Sequence, residues 1–515
     1  MHLAPQTLTD RPRYALARRL AVTFLAVGLA GWASGPYHPV SRAGAAEDPS
    51  DLYSQSVEWF DCPDDQGECG TVQAPLDWSN PDGQRITVTF AVSRATDPTK
   101  RQGSLLVNPG GPGASGISSL SYLVAGLPEQ VTARYDIVGF DPRGVGLTMP
   151  VKCLEDQELG EFVEWLPRGD ADTAIPEAHV LADGFAQACL EQTGEALGFI
   201  DTRSTARDMD VIRAALGDEK LNYVGYSYGT FLGALYAQEF PERVGRMVLD
   251  GAVNPLKTSE QDSAEQMGAF EQALEHYVQD CLDSTDCPLN GTVEQAVDQI
   301  RELIAGLVEQ PLSTSFDGRE LSDAMALMGV LAALYSQDAW PMLTLSLDQA
   351  LNQADGTALL VLADTYYERD SATGAFQTNM FEAFTAISCL DKPVDARRQA
   401  IDAADQLMLE ASGTFGPYFR LGAIGCAEWP YPAAFQPQAI SAPTADPIVV
   451  VGTTGDPATP YADAKALTEQ LESAVLVTYE GEGHTSFGQG GCVDEPVGDY
   501  LVGGKVPAEG FTCGG

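Results

Sequence analysis

Hydrophobic positions along this 515-residue chain change period twice. Over about residues 85–254, short apolar runs such as RITVTFAV, SLLVNPG, YDIVGFD, LNYVGYS and RMVLDG recur, with helical spacing between them, as at 204–216. Strands alternating with helices in this way predict an α/β fold with a mainly parallel sheet. From about 255 to 436 the chain is rich in Ala, Leu, Gln and Glu at helical spacing, as in EQMGAFEQALEHYVQDCL and EQAVDQIRELIAGLVEQ, with almost no strand signal. Strand-like runs return in DPIVVVGTTGDP and SAVLVTYEGEGH, separated by a helical run over 462–471. The predicted organisation is a leader at 1–45, a first core segment at 46–255, a helical cap at 256–436 and a second core segment at 437–515 that completes the sheet. No internal repeat or low-complexity tract interrupts it.

The first residues depart from both textures. Arg11, Arg13, Arg18 and Arg19 precede an apolar stretch at 20–33 and small residues around Ala43-Gly44-Ala45-Ala46, the order of a signal peptide. The apolar stretch is short for a membrane span, so removal on export is expected, with Arg18-Arg19 compatible with a twin-arginine route. All ten cysteines lie after this leader, and sequential pairing would make five short local disulfides suited to an oxidising compartment. No histidine or second cysteine pair completes a metal site around Cys281 and Cys287, so neither metal nor cofactor is expected. Lys and Arg number 29 against 73 Asp and Glu, a formal charge of −44 that repels phosphate backbones and anionic lipid. Nucleic-acid binding is thereby disfavoured, and solubility of an exported protein is the simpler meaning of the acidity.

Candidate chemistry centres on Gly225-Tyr226-Ser227-Tyr228-Gly229, where a strand-like run ends and a helical one begins. A strand, sharp turn and helix is the context that lifts a serine out as a nucleophile, and glycines on either side let strand and helix approach. The motif alone is weak: with 51 glycines present, the pattern G-x-S-x-G arises by chance in roughly a third of sequences of this length and composition. A serine nucleophile needs a base, and histidine has the suitable pKa. Of five histidines, His2 and His38 lie in or just after the leader stretch, His276 in a helical cap pattern and His179 in an acidic, loop-like segment. His484 remains, in a glycine-rich loop directly after AVLVTY. Asp456, after the strand IVVV, is the preferred acid, and the order Ser227, Asp456, His484 suits an α/β-hydrolase. Asp250, at the end of RMVLD, is the rival, although Asp250-Gly251 also reads as a turn. The glycine-rich loop Asn108-Pro109-Gly110-Gly111-Pro112-Gly113 supplies an oxyanion hole, with the N–H groups of Gly111 and Tyr228 as donors. It lacks the lysine of a phosphate-binding loop.

The strings NPGGPG, FDPRGVG, VGYSYGT, LDGAVNP, GTTGDPATP and GEGHTSF, in this order, resemble the secreted actinobacterial tripeptidyl aminopeptidase branch of the α/β-hydrolases, relatives of proline iminopeptidase. The resemblance implies an eight-stranded core, a helical cap inserted between the strands ending at Asp250 and before Asp456, and hydrolysis of peptides near a free N-terminus. It carries the roles of nucleophile, acid and base onto Ser227, Asp456 and His484. Proline iminopeptidases begin the oxyanion loop with His, where this sequence has Asn108-Pro109, which argues against release of a single proline. Arg143, in Asp141-Pro142-Arg143-Gly144, is expected to brace its loop rather than bind a substrate carboxylate. Asp391 after Cys389 and Glu428 after Cys426 would come together if those cysteines pair, and are the candidate clamp for a substrate amine. A secreted carboxylic-ester hydrolase with the same triad, and a non-catalytic binding protein on the same scaffold, are the alternatives.

Overall fold

Valine- and leucine-rich segments with both faces covered should read as near-continuous apolar runs, and the parallel strands of this protein do. The computed structural model describes residues 51–63 and 67–514; the leader expected at 1–45 and its twin-arginine pair lie outside them. The strands are β1 (Glu58–Asp61), β2 (Glu68–Pro75), β3 (Arg85–Ser93), β4 (Gly103–Asn108), β5 (Tyr135–Phe140), β6 (Leu221–Tyr226), β7 (Val244–Asp250), β8 (Leu312–Ser313), β9 (Glu320–Leu321), β10 (Ile448–Gly455), β11 (Ala474–Glu482) and β12 (Phe511–Gly514). Ten of them form one sheet in the order β1-β2-β3-β5-β4-β6-β7-β10-β11-β12, and β8 and β9 pair separately among the helices. Pairings from β1 to β5 are antiparallel and all later ones parallel. The strands from β2 to β11 are the expected eight; β1 and β12 add one at each edge.

Alternation along the central strands sends side chains to two buried layers. Tyr223, Leu249 and Val450 pack on one face with Phe231 and Leu235, while Val224, Val248, Val449 and Val451 pack on the other with Ile117 and Leu120. The carboxyl ends of β4, β6, β7, β10 and β11 lie along one edge, where loops of a parallel sheet collect. All five disulfides follow the sequential pairing, Cys62–Cys69, Cys153–Cys189, Cys281–Cys287, Cys389–Cys426 and Cys492–Cys513.

Between β7 and β10 the chain is helical, running through Ser259–Asp283, Val293–Gly306, Asp323–Leu334, Trp340–Gln353, Thr357–Tyr366, Met380–Asp391 and Arg398–Ala411. Asp323–Leu334, apolar on nearly every side, is buried almost throughout, as a helix with no solvent face must be. One helix outside this stretch joins it. Ala171–Thr193, between β5 and β6, packs Ala174, Ile175, Ala178 and Ala182 against Ile401, Leu421 and Ile424. The strand and helix alternation groups this helix with the first core segment. Its small apolar stripe is satisfied equally by a sheet or by other helices, and only packing distinguishes them.

Arg143 is fully buried and braces the loops behind the sheet edge. Its Nε and Nη2 donate to Asp208 at 2.7 Å each, and its remaining donors meet the carbonyls of Pro75, Leu76 and Phe199 at 2.7–3.0 Å. The partner is Asp208 rather than Asp141, whose carboxylate instead accepts from Ser115 Oγ and the Ile117 and Leu147 amides. Breaking one side of a buried pair strands the other charge, so Arg143→Met is expected to lower stability by about 3–5 kcal/mol in urea unfolding. Adding Asp208→Leu should recover much of that loss. A loss within the scatter of surface substitutions in the single variant would contradict the brace.

Candidate active site

Ser227 stands between β6 and the helix Tyr228–Glu239 with φ 55° and ψ −124°, a backbone conformation that costs about 1–3 kcal/mol for a residue with a side chain. Its neighbours make the turn sterically feasible. A Cβ on Gly225 would come within 2.3 Å of the Gly229 carbonyl, and one on Gly229 within 2.8 Å of Asn108 Oδ1. The turn is held by a hydrogen bond from Ser227 N–H to the Asp250 carbonyl at 2.8 Å and by Thr230 N–H to the Ser227 carbonyl at 2.8 Å.

The glycine loop after β4 lies directly against this turn, since a Cβ on Gly110 would sit 2.9 Å from Ser227 Cβ and 3.6 Å from its Oγ. Gly110 and Gly111 have φ of +103° and +106°, open to residues without Cβ. Asn108 Oδ1 claims the Gly110 N–H at 3.1 Å, leaving the Gly111 amide as the next donor in the loop. Tyr228 is the first residue of its helix, so no carbonyl of a preceding turn claims its N–H.

Asp456 follows β10 and His484 follows β11. His484 Nδ1 meets both carboxylate oxygens, at 2.9 and 3.0 Å. The same carboxylate accepts the amides of Ala458 and Thr459 at 2.9 Å, Thr459 Oγ1 at 3.0 Å and the Thr485 amide at 3.2 Å. With Nδ1 facing the carboxylate, Nε2 is turned away from it. The His484 ring lies over the corner that carries the nucleophile turn: its Cε1 is 3.1 Å from where a Gly251 Cβ would be, and the preceding carbonyl, of Asp250, holds Ser227. Burial pushes the His484 pKa down, but the charge and hydrogen bond of Asp456, with the charge of Asp250, prevail and raise it above 6.5. The rival acid Asp250 has no hydrogen bond to the imidazole; its carboxylate accepts main-chain amides instead.

The cap supplies residues that no sequence pattern singled out. The Tyr335 carbonyl, at the end of the buried helix Asp323–Leu334, accepts the His484 N–H at 2.7 Å, and the Tyr335 ring stands edge-on to the imidazole at 5.5 Å. Thr459 supports Asp456 through both amide and hydroxyl; the Asp-x-x-Thr spacing of a side-chain-capped turn was a legible signal for it.

The two cap carboxylates do not form a clamp. The Cys389–Cys426 bond does bring their chains within 5.1 Å at Cα, but the side chains diverge to separate partners. Asp391 is buried and accepts the amide and hydroxyl of Thr202 at the start of the helix Thr202–Ala215, where unpaired amides attract a carboxylate. The Thr202 hydroxyl in turn meets the Tyr228 hydroxyl. Burial pushes the Asp391 pKa up to about 7. Glu428 is exposed and pairs with His179 Nδ1 at 2.9 Å. Among the described residues no His, Cys, Asp and Glu group is arranged to hold a metal.

A base raised above 6.5 is protonated and idle below its pKa and becomes available as pH rises. The rate at which a fluorophosphonate labels Ser227 is therefore expected to increase through a midpoint above 6.5. Asp456→Asn, which removes the acid's charge and upsets the tautomer, is expected to slow turnover roughly 10⁴-fold. A native midpoint at or below 6.5 would contradict the charge arrangement around His484.

A family model described as TAP-like protein matches residues 411–513, the segment holding Asp456 and His484. Serine protease Hip1 of Mycobacterium tuberculosis is 37% identical over 480 residues, covering 89% of this chain and 91% of its own. Carboxylesterase B of the same species is 37% identical over 497 residues, 92% of this chain and 94% of its own. Tripeptidyl aminopeptidase of Streptomyces lividans is 32% identical over 497 residues, 91% of this chain and 89% of its own. With an α/β-hydrolase sheet, a serine at the sharp turn between strand and helix and these relatives across nine-tenths of its length, the chain belongs to the tripeptidyl aminopeptidase-like family of α/β-hydrolases.

Proposed function

We propose that this protein is an exported serine exopeptidase that hydrolyses peptide bonds near a free N-terminus through an acyl-enzyme. The observation that carries the chemistry is the His484–Asp456 pair lying over the corner whose carbonyl holds the strained Ser227. In this reading His484 Nε2 takes the proton of Ser227 Oγ as that oxygen attacks the scissile carbonyl. The amides of Gly111 and Tyr228 donate to the oxyanion, and Asp456 steadies the imidazolium. His484 then returns the proton to the leaving amine, and water, deprotonated by the same base, releases the acyl group.

Peptide substrates with a free N-terminus are supported by the relatives named serine protease and tripeptidyl aminopeptidase. Export is supported by the basic, apolar and small-residue order of the first residues and by five disulfides. No described helix is long and apolar enough to cross a membrane. Ester hydrolysis is the second reading, favoured by the relative named carboxylesterase B at 37% identity. Unblocked tripeptide p-nitroanilides, their N-acylated counterparts and a p-nitrophenyl acyl ester separate the two. A peptidase of this kind is expected to prefer the unblocked anilide to the acylated one by at least about tenfold in kcat/KM, the worth of one charge-assisted contact. Equal turnover of both anilides with faster ester cleavage would assign the ester reading. Failure of a fluorophosphonate to label Ser227 would remove catalysis altogether.

A further inference from the structure

Asp250 is a buried carboxylate that none of these steps uses, and it touches both halves of the site. Its main-chain carbonyl accepts the Ser227 N–H at 2.8 Å. Its side-chain Oδ2 accepts the amides of Ser486 at 2.9 Å and Phe487 at 2.7 Å, in the loop that carries His484. The other oxygen, Oδ1, is buried without a hydrogen-bond partner. An anchor for two amides needs a single acceptor oxygen, so anchoring alone does not call for a carboxylate with a bare second oxygen beside Asp456.

The charges around it are consistent with a further role. No lysine or arginine forms an ion pair with Asp250 among the described residues. The titratable groups that act on it or are acted on by it are Asp456 after β10, His484 after β11 and Tyr226 at the end of β6. The imidazole is the one of these that becomes cationic, which it does when it takes the serine proton. Burial pushes the Asp250 carboxyl up to about 7, helped by Asp456 and opposed by the Ser486 and Phe487 amides and by His484.

We propose that Asp250 is the positioning residue of this site, its main chain fixing the nucleophile and its carboxylate fixing the loop of the base and favouring the imidazolium. The proposal rests on Ser227 and His484 being nucleophile and base. The two parts of the role are separable. Asp250→Asn keeps an oxygen for the Ser486 and Phe487 amides but removes the charge; Asp250→Ala removes both.

Since the negative charge raises the His484 pKa, its loss lowers that pKa and moves the acid limb of kcat/KM to lower pH. For Asp250→Asn the expected result is a folded protein, labelled by fluorophosphonate, with that limb shifted down by about half a pH unit and kcat reduced about tenfold at unchanged KM. For Asp250→Ala kcat should fall by about 100-fold or more, again with KM little changed. A native pH profile and kcat in the Asn variant overturns the proposal, as do equal losses in both variants or an Asn variant that does not fold, each of which assigns a purely structural role. If the unsubstituted protein is not labelled at Ser227, the serine-hydrolase reading fails. Labelling of that protein with an indifferent Asp250→Asn variant removes this proposal alone.

Discussion

The backbone of Ser227 is held where a side chain is least at ease, and much of the site can be understood as what holds it there. A positive φ at a residue with a Cβ persists only when its surroundings over-determine it. Here the turn is fixed from three sides. Gly225 and Gly229 admit no side chain between strand and helix, the Asp250 carbonyl holds the Ser227 amide, and the glycine loop after β4 presses on the serine itself. The outcome is a serine at the carboxyl edge of the sheet, against the glycine loop after β4 and beside the corner that the His484 ring covers.

The cap is built into this arrangement rather than laid over it. The last turn of its most buried helix supplies the carbonyl that holds the His484 amide. A second connection runs from Asp391 through the Thr202 hydroxyl to the Tyr228 hydroxyl, on the residue whose amide opens the nucleophile helix. The helix Ala171–Thr193, inserted before β6, closes the cap from the opposite part of the chain. Cap and sheet therefore share hydrogen bonds at both His484 and Tyr228, and movement of one without the other would break them.

Electrostatically the site places one imidazole among buried carboxylates in a protein of formal charge −44. Asp456 accepts three surrounding amides and a hydroxyl besides the imidazole. Asp250 is only half satisfied, and burial pushes its carboxyl up to about 7. Two acids at neighbouring strand ends thus differ in how fully their oxygens are met by donors.

Local pattern was enough to read the strand and helix alternation, the sharp turn at the serine, the glycine loop and the pairing of nearest cysteines. Each depends on residues close in sequence: alternating apolar positions, glycines that permit close approach, cysteines a short way apart. Contacts between distant segments were not legible. Asp391 and Glu428 were brought near by a disulfide as the spacing suggested, yet the buried Asp391 turned to the unpaired donors of Thr202 and the exposed Glu428 to His179. The Tyr335 carbonyl against His484 and the docking of Ala171–Thr193 on the cap likewise depend on which segments the folded chain brings together. By itself, then, the sequence determined the fold class and the local turns and loops at the strand ends, since these follow from side-chain type and local spacing. Only the tertiary structure decided how the acids divide their partners, because burial and competing donors exist only once distant strand ends share one edge.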